Sequence, residues 1–380
     1  MKKILLLLLL LLVLVFGLKD KVYTNNTIIL GSSLPKTGII KEWGTSVNAG
    51  ANAYFKYAND MDLIQGRKIK LLSYDDKYEP ELTEKNIKKL IFKDKVFALF
   101  GFVGTPTVNR IMPIVEENDI PFIAPFTGAS FLREIDDENF VNFRSGYFEE
   151  VEKLVSHLHD KKNLKKFAVF YQNDNYGEEG YVSLLKALRK RNLPLLAEGT
   201  YKRNTLSIRH AFQEIKDAQP EVIIMIGAYK ANALFIKKAK EDYHFKDTIF
   251  CNISFGDANA MLKELDNTDN LLFSQVVPSY LDTKIPVIKE YRDLMSRYYP
   301  DVPYGFISLE AFLAAKSVVS ALQAISGDIT QNKFLDKLKT LSPSVLKGLD
   351  IKYENSQLLN QVYLFDYING KFQEIKESTK

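Results

Sequence analysis

From Thr27 onward, short apolar runs alternate with longer segments whose apolar residues recur every three or four positions, almost to the end of the chain. Thr27–Gly31, Ile69–Tyr74, Val96–Phe100 and Pro121–Ala124 read as strands, and Val141–Arg144 as a further extended run. Between them Val47, Ala51, Tyr54, Phe55 and Ala58 share one helical face, as do Ile87, Leu90 and Ile91 behind a Thr83 cap, and Val108, Ile111, Met112 and Val115. A second series has the same rhythm. Its strands fall at Phe167–Tyr171, Leu195–Thr200, Val222–Ile226, Thr248–Asn252 and Leu271–Val277, and its helices include Glu149–His159, Gly177–Arg191 and Ala231–Lys240. Two helices follow, around Ile285–Tyr299 and Ile307–Ile325. Ile351–Tyr353 and Val362–Tyr367 then read as strands, with Asn369-Gly370 a hairpin signal. Strand–helix units of about 25–30 residues require crossover connections and so parallel sheets covered by helices on both faces. Two successive runs predict an α/β chain of two doubly wound parallel-sheet lobes. No Gly/Ser/Pro linker separates them, so they are expected to pack closely.

Composition removes several functions. The 51 basic and 47 acidic residues leave a net charge of only +4, too mixed for a nucleic-acid surface. A single cysteine excludes an intramolecular disulfide and any Cys-rich metal site. Of the four histidines, His157 and His159 point to different sides of a helix, while His210 and His244 have no acidic or cysteine partner at ligand spacing. Cys251 ends an apolar strand and reads as a buried, inert thiol. Asp75 and Asp76 read as a surface turn rather than a catalytic pair. No G-x-S-x-G, H-E-x-x-H, P-loop or Rossmann glycine pattern is present, so neither an enzyme nor a cofactor or metal site is expected.

Met1-Lys2-Lys3 followed by the apolar run Ile4 to Phe16 has the form of a signal peptide. Residues 1–18 are therefore read as a signal peptide or an N-terminal anchor, placing the rest in the periplasm or another extracytoplasmic space. The run is shorter than the roughly 20 residues a spanning helix prefers. Ala311 to Ile325 is apolar-rich but interrupted by Lys316, Ser317, Ser320 and Gln323, and does not read as a span.

Open parallel sheets bind ligands beyond the carboxyl ends of their strands. The segments there are rich in hydroxyls, glycines and aromatics: Ser32-Ser33 through Trp43, Phe102 through Thr107, Phe126 through Ser130, Asn173 through Gly177, Gly227 through Lys230, and Asn252 through Asp257. Such a mixture suits a small molecule held by a few polar groups between aromatic walls.

Taken in order, Leu34-Pro35-Lys36-Thr37-Gly38, Pro121 through Ala129, Tyr176-Gly177 and Ala228-Tyr229 resemble the type I periplasmic binding proteins, the solute receptors of ABC importers, in their branched-chain amino acid (leucine/isoleucine/valine) group. The resemblance spans Thr27 to about Tyr367. It implies two lobes joined by a three-segment hinge, one holding 27–144 plus 278–345 and the other 145–277 plus 346–372. The crossings would lie near Arg144-Ser145-Gly146, Val277-Pro278 and Leu346–Gly348. It implies a small-molecule ligand enclosed on closure, ABC importer membrane subunits as partners, and no nucleic acid.

The resemblance also implies site residues. Thr105, Thr107, Thr127 and Gly128 match the region whose hydroxyls and amides hold a ligand carboxylate. Trp43 falls at an aromatic wall, Tyr176 and Tyr229 match second-lobe tyrosines, and Phe126 and Phe255 stand nearby as walls, with Phe102 as a further candidate. Where amino-acid receptors carry an acid for the α-ammonium, this chain has Ser254-Phe255, and Asp257 is the nearest carboxylate. Either Asp257 reaches in or the ligand has no amine, because a buried ammonium without an anion is costly. The expected ligand is an amino acid or a carboxylate-bearing or apolar aromatic compound. The alternative function is a membrane-anchored ligand sensor without a transport role.

Overall fold

The computed structural model describes residues 22–134 and 139–376, so the expected signal or anchor at 1–18 lies outside the described residues. Among the described residues twelve strands form two sheets. The first contains β1 (Thr27–Leu34), β2 (Lys68–Asp75), β3 (Ala98–Phe100), β4 (Phe122–Ile123) and β5 (Phe140–Val141), in the order β2-β1-β3-β4-β5, and every pairing is parallel. The second contains β6 (Phe167–Gln172), β7 (Leu195–Tyr201), β8 (Val222–Ile226), β9 (Ile249–Asn252), β10 (Leu271–Gln275), β11 (Tyr363–Ile368) and β12 (Lys371–Glu374), in the order β12-β11-β10-β9-β8-β6-β7. Here β6 to β10 pair in parallel, and an antiparallel β11–β12 hairpin, turning at Asn369-Gly370, finishes the edge. The helices between strands make this the expected pair of doubly wound lobes.

The chain passes between the sheets three times: between β5 and β6, between β10 and the Pro286–Tyr298 helix, and between the Gln331–Lys339 helix and β11. The first sheet is thus covered partly by helices from late in the chain. Helix Phe306–Gln323 packs along helix Lys41–Asp60, and a Cβ on Gly50 would collide with the Ser308 carbonyl oxygen, so only glycine permits this approach. By length and composition Phe306–Gln323 is apolar enough to cross a membrane, but 83% of it is buried inside the molecule. That is the condition of a central core helix.

The continuous apolar run of β8 is buried at every residue, as a strand covered on both faces requires. One apolar cluster extends from Ile28 to Phe365 through both lobes, while a second, around Ile87, Phe102, Ile111 and Phe122, fills the other face of the first sheet.

Two local expectations are corrected, and one helix is added. Thr83 lies inside the Pro80–Lys88 helix, which starts earlier because Pro80 is preset for a first-turn position. Ile351–Tyr353 makes no strand; the chain there forms an isolated bridge at Glu354 and Gln357 instead. A helix at Gln331–Lys339, capped by the Thr330 side chain on Lys333 N–H, was hidden by its polar sequence.

Candidate ligand-binding site

The loops at the carboxyl ends of the two sheets face one another, and the residues between them are mostly rings. Trp43 lies in the first turn of the Lys41–Asp60 helix, which follows β1, and Phe255 lies just after β9. The two rings stack with centroids 4.8 Å apart, and the indole N–H donates to the Phe255 carbonyl oxygen at 3.2 Å. Phe126, after β4, meets Trp43 edge-on at 5.8 Å. Tyr176, at the start of the Asn175–Arg189 helix, lies 4.6 Å from the Phe255 ring, and Tyr147 lies 5.4 Å from Tyr176. Tyr78, after β2, completes the wall 6.0 Å from Phe255. Trp43, Tyr78, Tyr147, Tyr176 and Phe255 are all buried: the lobes are closed on one another.

Beneath the rings is a group of hydroxyls. Thr105 opens the Thr105–Glu117 helix, and its Oγ1 lies 2.7 Å from Thr127 Oγ1 and 3.3 Å from the Tyr147 phenol. Thr127 Oγ1 also accepts from the Ala129 amide at 3.2 Å. The Tyr147 amide donates to the Gly128 carbonyl at 2.8 Å, and a Cβ on Gly128 would sit 2.6 Å from the Tyr147 ring. Burial pushes the Tyr147 phenol above its ordinary pKa, against the pull of the nearby Arg144 guanidinium and of hydrogen bonds from Thr105, Thr127 and the Gly128 amide.

Two buried carboxylates stand at the first crossing. Arg144 makes two 2.8 Å bonds to Glu310 with both side chains nearly inaccessible, and its guanidinium carbon is 5.9 Å from the Trp43 ring. Glu150 accepts from the amide and hydroxyl of Ser254, each at 2.8 Å, and from the Ser274 hydroxyl at 2.6 Å. It therefore pins the loop that carries Phe255. Burial raises the Glu150 pKa, partly offset by Arg144 and by these hydrogen bonds.

At the rim, polar contacts join loops of opposite sheets. Arg203 bonds Asp174 and Glu79, each at 3.1 Å, and Asn204 donates to Glu79 at 2.7 Å. Gln172 donates to the Tyr78 hydroxyl at 3.2 Å, and Glu179 accepts from the Ser130 amide and hydroxyl.

Of the residues expected at the site, Trp43, Thr105, Phe126, Thr127, Gly128, Tyr176 and Phe255 are brought together. Thr107 is turned back onto its own helix, donating to the Val103 and Gly104 carbonyls. Phe102 packs edge-on to Phe122 at 5.1 Å in the core cluster behind the sheet. Asp257 caps the Ala258–Lys263 helix through the Ala260 amide, and burial raises its pKa to about 6. Tyr229 lies outside the ring cluster; its phenol pKa is raised by burial and by the carboxylates of Glu42 and Asp257. Tyr78, Tyr147, Arg144, Glu150 and Arg203 went unrecognised in the sequence. Only Arg144 and Tyr147 carried a signal, since Arg144 belongs to the expected crossing at Arg144-Ser145-Gly146 and Tyr147 adjoins it.

Asp76 is corrected: it is no surface residue but a buried one, accepting from Ser33 at 2.7 Å, from the Tyr78 amide at 2.9 Å and from Thr83 at 3.3 Å. Burial raises its pKa to about 6. Cys251 is buried and its thiol pKa is pushed up by burial. Among the described residues no three His, Cys, Asp or Glu side chains come together in a way that would hold a metal ion.

The sequence model of a family described as "Periplasmic binding protein" matches residues 27–371. A solved structure described as a possible leucine/isoleucine/valine-binding protein, from Rhodopirellula baltica SH 1, superposes with a TM-score of 0.86 at 30% identity, covering 92% of this chain and 96% of that one. Leu/Ile/Val-binding protein homolog 7 of Brucella abortus (strain 2308) is 21% identical over 322 residues, 79% of this chain and 78% of that protein. A shorter similarity, 26% identity over 175 residues, reaches receptor-type adenylate cyclase B of Leishmania donovani and covers 43% of this chain but 13% of that one.

Proposed function

The chain belongs to the periplasmic binding protein family, and from that membership we propose that it is an extracytoplasmic receptor that encloses a small molecule between its lobes and delivers it to the membrane subunits of an ABC importer. The observation that carries this reading is the Trp43–Phe255 pair, two large apolar rings from loops of opposite sheets, face to face at 4.8 Å. Rings so placed are natural walls for an apolar guest when the lobes part, and hinge motion about the three crossings would part them. We place those crossings at Arg144-Ser145-Gly146, Val277-Pro278 and Leu346–Gly348, with lobes of 27–144 plus 278–345 and 145–277 plus 346–372.

Of the two ligand classes expected, an amino acid and a carboxylate-bearing or apolar aromatic compound, the second has the better support. Both acids near the expected ammonium position are engaged: Asp257 caps a helix, and Glu150 accepts from Ser254 and Ser274. We assign ligand contact to Trp43, Phe126, Tyr176 and Phe255, add Tyr78, and assign Thr105, Thr127 and Gly128 to the polar group that borders the site. The test is native mass spectrometry of protein purified from its own cells, followed by titration of the released compound against tryptophan fluorescence. A bound small molecule that shifts the Trp43 signal saturably is expected; a protein that carries nothing and responds to no extract fraction overturns the reading.

The similarity to a receptor-type adenylate cyclase favours one second reading, ligand sensing without transport. Deleting the importer genes separates the two, because uptake stops only under the first.

A further inference from the structure

Hydroxyls and a main-chain amide gathered at the first turn of a helix form a cradle suited to an anion, because the N–H groups there have no partners within the helix and the helix dipole adds to their attraction. Thr105, Thr127 and the Gly128 amide are such a group, at the head of the Thr105–Glu117 helix. In this chain the group is already filled. The phenol oxygen of Tyr147 lies 3.3 Å from Thr105 Oγ1, which is itself 2.7 Å from Thr127 Oγ1.

We propose that Tyr147 is a specificity-determining residue whose phenol occupies this cradle in place of a ligand carboxylate, so that the receptor selects compounds that present no carboxylate there. This rests on the receptor reading above and narrows its ligand to one with an aromatic or apolar body and no anionic head. The fit is built rather than incidental. The Tyr147 amide is tied to the Gly128 carbonyl at 2.8 Å, and Gly128 has no room for a Cβ beside the Tyr147 ring, which also packs 5.4 Å from Tyr176.

Apart from the buried Tyr176 hydroxyl, which has no acceptor, the side-chain donors near the rings are largely engaged elsewhere. Arg144 gives two bonds to Glu310 and sets its guanidinium beside the Trp43 ring, and its Nη1 has no acceptor. Arg203 is shared between Asp174 and Glu79. Thr107 is bound to its own helix. The cations beside Tyr147, Arg144 and Arg133, already spend their donors on Glu310, Gln357 and main-chain carbonyls, so a carboxylate entering here would find unpaired only the spare Nη1 of Arg144 and the Tyr176 hydroxyl. Burying an anion that poorly paired is unfavourable.

The test is calorimetric titration with benzoate. Wild-type protein is expected to give no saturable binding. Tyr147→Ala vacates the cradle and is expected to bind benzoate at least tenfold more tightly than wild type, and Thr105→Val in that background is expected to abolish the gain. Tyr147→Leu, which keeps an apolar side chain against Tyr176 and still frees the cradle, carries the same expectation should alanine prevent folding. Saturable benzoate binding by the wild type, through Thr105 or through Arg144, overturns the proposal. So does a folded Tyr147 variant that stays silent. A wild type that binds no ligand of any kind defeats the receptor reading while the variant arms still report on the cradle. A natural ligand held by its carboxylate at Thr105 leaves the receptor reading intact and defeats this one.

Discussion

The indole nitrogen of Trp43 and the carbonyl oxygen of Phe255, 212 residues apart in sequence, are joined by a 3.2 Å hydrogen bond across the closed lobes, under rings stacked at 4.8 Å. Trp43 is the only tryptophan in the chain. Its fluorescence therefore reports on closure with no background from other sites.

Trp43→Phe keeps the stacking and removes the donor. A neutral hydrogen bond contributes about 1 kcal/mol, and a guest between the rings must break this one, so Trp43→Phe is expected to raise ligand affinity about fivefold, while the loss of ring contact in Phe255→Ala lowers it. Isothermal titration with the natural ligand checks both; equal affinity in all three proteins would remove these residues from the site.

The Arg144–Glu310 pair tests the crossing itself. Breaking a buried pair from one side leaves an unpaired charge and typically costs about 3–5 kcal/mol, whereas replacing both partners by apolar groups restores much of that. Arg144→Met and Glu310→Leu are each expected to lower urea stability by that order, and the double variant is expected to be more stable than either single one. Additive losses in the double variant would show that the charges are not coupled.

Arg203 is partly exposed and bridges Asp174 and Glu79 at the rim. Partly exposed pairs contribute about 1 kcal/mol or less. Arg203→Ala is expected to leave the unfolding midpoint nearly unchanged and to speed ligand release severalfold, as read by stopped-flow fluorescence. Unchanged release would mean that the rim contacts do not hold the lobes together.

Asp76 gives a pH signature. Its carboxyl has a pKa of about 6 in the folded protein against an ordinary 3.8. Between those values the folded state holds more protons than the unfolded one, so stability falls as pH rises through this window and stays lower above it. The contribution is at most about 3 kcal/mol. Asp76→Asn is expected to flatten the decline between pH 4 and pH 6 in denaturant titrations. A variant with the same slope as wild type would rule Asp76 out as its source.

The alternation of runs was enough to find nearly every strand, because a strand covered on both faces must be apolar throughout, as β8 is. Trp43, Thr127 and Phe255 were legible for a related reason: they follow strand ends, and strand ends face the cleft. The contacts of Glu150 and Arg144 were not legible. Each acts through a partner far along the chain, Ser274 for one and Glu310 for the other, and no local pattern announces a contact of that range. Asp76 misled because its neighbour Asp75, the last residue of β2, is partly exposed and bonded to Lys36 and Thr37, while Asp76 points the other way into Ser33 and Thr83. Thr107 shows the reverse error, a hydroxyl at a good position that its own helix consumes.

The contact of Gly50 with Ser308 has a consequence for the order of events during synthesis. Helix Lys41–Asp60 is made early, yet the helix that covers it begins only at Phe306. Until that late segment emerges, a broad apolar face of the first lobe has nothing to rest on, and contacts between such distant segments form slowly. The second lobe's five parallel strands are by then complete. The lobe begun first is therefore finished after most of the second, and the newly made chain depends meanwhile on being shielded or held extended.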